Sequence, residues 1–330
     1  MIDYLDTRAG WRRRQVAVKW RSIVSIFITL VLVLAVFNGF LKVSFSDYFG
    51  RSTIAGGIVV AVVNSSPGSL LIFQDDPKRL VLARFDDNLY FATGDPQRPT
   101  KRMLDIFNLE DGQRMRNAVS ATVKIPVGHY LNVSDKEVFP TEVGFFKFFK
   151  NMASVATPLS ILTRGELPGV EQTNLTRSDM IGLWWQAKSL SINDLVFVDI
   201  SEITTEIVLP GDEKVLGIDS LGVVRKLASF VEDREILAQQ SLVSVKNASG
   251  VAGAGQLAAD LMLPLGVKVV RVEAADTQQE KSQILVAGGE SYTARYLAKI
   301  LECDIKTQPD VLDAEIIVVV GVDFARRYQL

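Results

Sequence analysis

Two groups of charged side chains have the types and spacing that phosphate chemistry needs. Asp86 and Asp87 follow Arg84 at the end of an apolar run, and Arg177 and Asp179 open a helical pattern. Paired carboxylates can ligate Mg²⁺ through oxygen, and an arginine can clamp a phosphate. The same residue types are common as turn charges and helix caps, so both interpretations stay open.

The chain holds one histidine, His129, and one cysteine, Cys303. This composition excludes a zinc site of the usual cysteine and histidine type and an intramolecular disulfide. Cys303 ends an apolar-periodic helix, where a small buried side chain is expected. No phosphate-binding loop or dinucleotide glycine motif is present. The sequence therefore predicts no metal site and no cofactor, unless the acidic residues above hold Mg²⁺.

A glycine-rich turn near the C-terminus is a candidate binding site. The segment VKNASGVAGAGQLAAD places Asn247 before Gly250, Gly253 and Gly255. Such glycines permit a tight strand-to-helix turn, and its backbone N–H groups could hold an anion or a sugar oxygen. The alternative is a helix start that simply packs close to a sheet.

Residues 22–41 form an uncharged run of 20 residues. As a helix rising about 1.5 Å per residue, this run would span a bilayer core of roughly 30 Å. Residues 1–21 hold six basic and two acidic side chains, whereas few cations follow the run. We expect an uncleaved signal anchor with a cytoplasmic N-terminus: a single-pass protein of the cell membrane whose later domains are extracytoplasmic.

The charge balance argues against a nucleic-acid partner. The whole chain has a net charge of −2, so the part after residue 21 is about six units negative. A surface of that sign does not attract nucleic acid.

Hydrophobic periodicity and turn residues divide the rest of the chain. A stalk, 42–57, precedes three β-rich runs that begin at Ile58; helical patterns follow at 101–118 and 177–190. The amphipathic segment 144–162 carries four phenylalanines and could form core or contact a membrane surface or a partner. An acidic stretch, 199–240, predicts a boundary between domains 58–235 and 241–326, and the second has the order βαββαβ.

The C-terminal block contains three segments of a recognisable type: VSVKNASGVAGAGQLAADLMLPLGVKVV, ILVAGGESYTARYLAKILE and IIVVVGVDF. Together they resemble the LytR C-terminal domain of bacterial envelope proteins. The resemblance implies a small α/β domain with two helices covering one face of its sheet.

The preceding block holds the segments VKIPVGHYLNVS, with Gly128, His129 and Tyr130, and RSDMIGLWWQAKSL. They resemble a strand and a helix of the LytR-CpsA-Psr domain, whose members transfer lipid-linked glycopolymer onto peptidoglycan outside the membrane. However, the family's phosphate-binding arginines fall on Gly182 and Trp185, and a metal-binding acidic position falls on Gly68. The resemblance therefore implies a degenerate copy of this domain.

Two hypotheses follow. The first is a membrane-anchored cell-wall or glycopolymer-binding scaffold without catalysis, whose partners are the membrane and peptidoglycan or lipid-linked glycopolymer. The second is a divergent transferase that rebuilt its site from Arg84, Asp86, Asp87, Arg177 and Asp179, with Mg²⁺. One cavity lined by all five side chains would favour the enzyme, and we prefer the first hypothesis because the family arginines are replaced.

Overall fold

The computed structural model describes residues 58–92, 100–107, 111–209, 212–308 and 315–328. These residues belong to one compact unit. The expected cytoplasmic tail, membrane helix and stalk, residues 1–57, lie outside the described residues. Within the described ranges, no helix has the length and apolar character needed to cross a membrane.

Fifteen strands and ten α-helices are described. The strands are β1 Ile58–Asn64, β2 Ser69–Asp75, β3 Lys78–Arg84, β4 Tyr90–Ala92, β5 Thr100–Arg102, β6 His129–Val133, β7 Val170–Thr173, β8 Leu195–Asp199, β9 Thr204–Val208, β10 Lys214–Ile218, β11 Leu242–Asn247, β12 Lys268–Ala274, β13 Gln283–Val286, β14 Asp304–Thr307 and β15 Ile316–Val320. The helices are α1 Met103–Phe107, α2 Gly112–Val123, α3 Glu142–Met152, α4 Thr157–Arg164, α5 Arg177–Lys188, α6 Ser220–Val231, α7 Arg234–Gln239, α8 Ala254–Met262, α9 Tyr292–Leu301 and α10 Val322–Tyr328.

A six-stranded sheet in the order β7-β6-β1-β2-β3-β8 forms the centre of the first region. Every residue of β1 is buried, because Val60 and Val62 face a core with α1, α2 and α6, while Val59 and Val63 face a core with α3, α4 and α5. The region is therefore a three-layer α/β/α sandwich. The three runs from Ile58 form β1, β2 and β3, as expected from their apolar residues and turns.

Several helices begin where a polar side chain accepts hydrogen bonds from free backbone N–H groups. The carboxylate of Asp111 accepts hydrogen bonds from the backbone N–H groups of Gln113 and Arg114 and starts α2. The prediction of one helical stretch over 101–118 is therefore wrong: this stretch holds the end of β5, α1 and the first half of α2. Likewise the amphipathic segment 144–162 forms two helices, α3 and α4.

A second sheet, β5-β4-β10-β9, lies within the same region. Its hairpin β9–β10 uses the acidic stretch in which we placed the domain boundary. After the hairpin, α6 places Val223, Leu227 and Val231 in the first core. The chain up to the end of α6 is thus tied to the first region, and the division between 58–235 and 241–326 stays a prediction.

The C-terminal region is a five-stranded sheet in the order β12-β11-β15-β13-β14. Helices α8 and α9 share one core with one face of this sheet, as expected. The order βαββαβ is incomplete, because β14 adds a fifth strand beside β13. After β15, Asp323 accepts hydrogen bonds from the backbone N–H and hydroxyl of Ser282, and the chain turns into α10.

A buried arginine links the two regions. Arg116 of α2 donates to the backbone carbonyl of Gly128 at 3.0 Å and to the carboxylate of Glu302 at 2.8 Å. The other oxygen of Glu302 lies 3.6 Å from Nε of Arg327, whose carbonyl accepts from Asn117. Because Arg116 is almost fully buried, these acceptors stabilise its charge in place of water. The contacts of Glu302 and Asn117 with Arg327 hold α10 against α2.

We predict that Gly144→Ala lowers the free energy of unfolding by about 1–3 kcal/mol, although alanine is ordinarily the better helix former. A Cβ on Gly144 would lie 1.8 Å from the carbonyl oxygen of Val138, so the backbone would have to shift. Gly182→Ala is the matched control, because nothing lies within 4 Å of its added Cβ. This control should raise the same free energy by about 0.5–1 kcal/mol. Chemical denaturation of both variants measures the two changes, and equal effects would contradict the packing described for α3.

Candidate functional site

The first candidate, Arg84, lies at the carboxyl end of β3 and is paired across the sheet. Its guanidinium forms an ion pair with Asp199, the residue directly opposite at the end of the parallel strand β8. It also lies over the ring of Phe197, 5.6 Å from the ring centroid. The positive charge that phosphate binding would need is therefore already shared with a carboxylate.

Asp86 and Asp87 shape the turns at the same end of the sheet. Asp87 accepts hydrogen bonds from the backbone N–H of Gly68 at 2.9 Å and from the hydroxyl of Ser66 at 3.1 Å. Asp86 accepts through one oxygen from the backbone N–H and the side-chain amide of Asn88. The structure thus brings Asp87 to Gly68, and both carboxylates stabilise local turns.

Arg177 and Asp179 begin α5, and Asp179 belongs to a capping box. Its carboxylate accepts from the backbone N–H of Thr176 at 3.0 Å and from the hydroxyl of Thr176 at 2.7 Å. In return, the backbone N–H of Asp179 donates to that hydroxyl. Arg177 packs against Gly165, where an added Cβ would lie 3.0 Å from its guanidinium. The cap accounts for an acidic residue at this position of the helix.

These two candidate groups are separated across the sheet. Asp179 lies near His129, the first residue of β6, because its charge influences the titration of that histidine. Arg84, in contrast, is the last residue of β3. Three strand spacings separate β6 from β3, and the pairing register places His129 two residues behind Arg84. The two backbones are then roughly 15 Å apart. Asp86 and Asp87 do not fit a Mg²⁺ site shared with Asp179, and the catalytic role of the five residues stays a prediction.

His129 is buried beside Asp179. Burial is the main cause that lowers the pKa of His129 to about 4, and the charge of Asp179 opposes the shift only in part. The side chain is therefore neutral at pH 7. Among the residues that the structure describes, no three histidine, cysteine, aspartate or glutamate side chains lie close enough to hold a metal ion.

The two positions of the family arginines lie on α5. Gly182 is exposed with open space around it, and the side chain of Trp185 is largely exposed. Trp184 is half-buried, and its indole N–H donates to the carbonyl of Ser154 at 2.9 Å. The two tryptophans thus have different surroundings, as expected for adjacent residues on a helix, and only Trp185 could stack on a ligand.

A cleft of about 360 Å³ lies beside the edge strand β7 and was not found by sequence reasoning. Tyr130, Glu166, Glu171, Gln172 and Thr173 line it above a buried apolar floor. None of the five catalytic candidates lines this cleft. Apart from Tyr130 of β6, its polar residues come from β7 and the loop before it, and their spacing gives no motif in the sequence.

The C-terminal glycine turn is closed by its own side chains. The amide of Asn247 donates to the carbonyl of Val251 at 2.8 Å, and its oxygen accepts from the backbone N–H and hydroxyl of Ser249. Gly250 and Gly253 have positive φ angles of 74° and 84°. These contacts account for the residue types at the start of α8, and ligand binding by Asn247, Gly250, Gly253 and Gly255 stays a prediction.

Gly255 is needed for packing. An added Cβ would lie 3.1 Å from Cβ of Asn247 and 3.3 Å from a methyl group of Val272. The first turn of α8 can therefore approach the sheet closely only because this residue has no side chain.

The C-terminal sheet is the part of the chain that comparison identifies. A family model described as "LytR cell envelope-related transcriptional attenuator" matches residues 240–324. This segment is a LytR C-terminal domain. The resemblance expected from its strand, turn and helix segments is thus confirmed, and the domain relates the chain to the cell envelope. No curated protein matches the full sequence.

Several solved structures are similar to the chain at low sequence identity. TagV from B. subtilis has a TM-score of 0.37 and 10% identity over 53% of this chain and 96% of its own. TagT bound to LIIa-WTA has a TM-score of 0.35 and 9% identity over 55% of this chain and 95% of its own. A LytR-Csp2A-Psr enzyme from Actinomyces oris has a TM-score of 0.19 and 11% identity over 84% of this chain and 90% of its own.

Because His129 is buried, we predict that the free energy of unfolding depends on pH. The pKa of His129 is about 4 when folded and about 6.5 when unfolded, so between these values the unfolded chain binds more protons. Its contribution to the free energy of unfolding is therefore complete above about pH 6.5 and falls by up to 1.4 kcal/mol per pH unit towards pH 4. Chemical denaturation from pH 7 to pH 4.5 measures this loss. His129→Gln should flatten the profile over this range, and an unchanged slope would contradict the neutral state of His129.

Proposed function

We propose that this chain is a single-pass membrane protein of the bacterial cell envelope that binds or scaffolds wall glycopolymer without transferring it. Its folded part would lie outside the membrane, behind the anchor at residues 22–41. The LytR C-terminal domain over residues 240–324 supports the envelope setting. One observation supports the absence of transfer: the two charged groups are separated across the sheet.

Phosphoryl transfer needs cations beside the phosphate, and the two separated charged groups do not form such a site. Its transition state needs cations that neutralise charge on the phosphate oxygens, and one arginine can contribute about 10³ to 10⁵ in rate. Arg84 is paired with Asp199, and the positions of the family arginines hold Gly182 and Trp185. Neither a glycine nor a tryptophan supplies such a charge.

Glycopolymer binding needs a different kind of surface from phosphoryl transfer. Exposed aromatic rings and backbone N–H groups are suited to neutral sugars, which need stacking and hydrogen bonds rather than a dense positive charge. The glycine turn at the start of α8 offers such backbone N–H groups, because no side chain caps this helix. We assign the binding role to the C-terminal domain, since that domain carries the envelope match.

A transfer assay tests the proposal. The purified full chain in detergent is mixed with undecaprenyl-pyrophosphate-linked saccharide, peptidoglycan and Mg²⁺, and released undecaprenyl phosphate and retained glycan are both measured. We expect retained glycan and no release above the protein-free background. Arg84→Ala, Arg177→Ala and the exposed control Arg225→Ala should then all behave like the parent.

Release of undecaprenyl phosphate that Arg84→Ala and Arg177→Ala abolish, and that Arg225→Ala leaves intact, would contradict the proposal. It would make the chain a divergent transferase. Failure to retain glycan, with no release, would contradict the binding role.

A further inference from the structure

Four exposed apolar side chains surround the end of the six-stranded sheet at which β1 and β3 begin, here called the amino end of the sheet. They are Val155, Leu159, Trp185 and Ile192, with exposed fractions of 77%, 65%, 69% and 69%. Single exposed apolar residues are ordinary on a protein surface, but a group of four on successive segments is not.

Hydrogen bonds hold these segments together. The indole N–H of Trp184 donates to the carbonyl of Ser154, so the last turn of α5 lies beside the loop that carries Val155. Leu159 lies in the first turn of α4, which begins at Thr157, two residues after Val155. Trp185 follows Trp184 on α5, and their ring centroids are 5.8 Å apart.

The same segments lie where the chain enters the fold. Nζ of Lys78, the first residue of β3, donates to the hydroxyl of Ser189 at the end of α5. Ile192 follows three residues later and directly precedes β8. Ile58, the first residue of β1, pairs with Gln74, which in turn pairs with Arg79 of β3. Ile58 and the apolar group therefore lie at one end of the sheet.

Cations accompany the apolar group. Lys150 ends α3 and Lys188 ends α5, and both are exposed. The ammonium of Lys188 lies 5.3 Å from the ring centroid of Trp184. Acidic side chains also lie at this end, since Asp75 is exposed and Asp194 accepts a hydrogen bond from Ser191, whereas Asp76 is paired with Arg234. Apolar and aromatic tips between lysines fit a surface of anionic lipid headgroups.

We propose that the face formed by Val155, Leu159, Trp185 and Ile192, with Lys150 and Lys188 beside it, docks on the outer surface of the anionic bilayer that anchors the chain. The inference rests on the proposed function, because it needs residues 22–41 to lie in that bilayer. Residues 42–57 can extend at most about 55 Å, so the tether keeps this face close to the lipid at high effective concentration.

An environment-sensitive label tests the docking in the full chain. Val155→Cys and the control Leu216→Cys, which replaces a 61%-exposed residue of β10, are labelled with a nitrobenzoxadiazole maleimide. Burial raises the pKa of the Cys303 thiol to about 12, so the native cysteine is poorly reactive at pH 7. The labelled chains are inserted into phosphatidylglycerol nanodiscs.

We expect the emission of the label at 155 to shift to shorter wavelength and to be quenched by spin-labelled lipid. The label at 216 should keep its emission in water. Adding Lys150→Glu or Lys188→Glu to the Val155→Cys chain should lower the ratio of docked to undocked protein about fivefold for each lysine.

Three results would overturn the docking. Water-like emission at 155, in chains that co-purify with the discs, would refute the docked face and leave the anchor intact. A blue shift that spin-labelled lipid does not quench would place Val155 against protein, such as a second copy. Failure to co-purify with the discs would refute the anchor of the proposed function as well.

Discussion

Burial of the six-stranded sheet on both faces is the constraint on which the rest of the first region depends. All seven residues of β1 and the first six of β2 are buried, so helices must cover both sides of these strands. Such a sheet leaves room for polar chemistry mainly at the ends of its strands. Arg84 and Asp199 lie at the carboxyl ends of β3 and β8, whereas His129, with Asp179 beside it, begins β6, three strands away from β3. The sheet that stabilises the fold therefore also separates the two charged groups.

The same constraint explains which parts of the fold could be predicted. The apolar runs of β1, β2 and β3 and the helical pattern of α5 are local properties, and all four elements are present as expected. Strand β14 was missed because it has four residues with little buried surface. The division of 101–118 depends on the cap formed by Asp111, which an apolar pattern does not reveal.

Contacts between distant residues account for the remaining differences. Arg84 and Asp199 are 115 residues apart in the chain, and Arg116 and Glu302 are 186 apart. Spacing alone gives no indication that either arginine has a carboxylate partner. The sequence therefore suggested Arg84 as a free phosphate ligand, although its register position in β3 places it directly opposite Asp199. The burial of Arg116 likewise depends on the docking of α10 against α2.

The C-terminal domain and the amino end of the sheet give the chain two different surfaces. The first belongs to a family associated with the cell envelope, and its glycine turn is held rigid by Asn247 and Ser249. The second combines exposed apolar residues with lysines near Ile58. Between them, the network of Arg116, Glu302 and Arg327 connects the two regions. Under the proposed function, these two surfaces would serve glycopolymer binding and membrane docking.

Binding of Mn²⁺, a paramagnetic substitute for Mg²⁺, tests most directly whether the charged groups form a transfer site. Electron paramagnetic resonance of the full chain in detergent counts free Mn²⁺ with and without undecaprenyl-pyrophosphate-linked saccharide. We expect only weak binding that the saccharide does not strengthen beyond its own affinity for the ion, and that Asp86→Asn and Asp179→Asn do not change. One tight ion per chain, formed only with the lipid pyrophosphate and lost in both variants, would contradict a non-catalytic function.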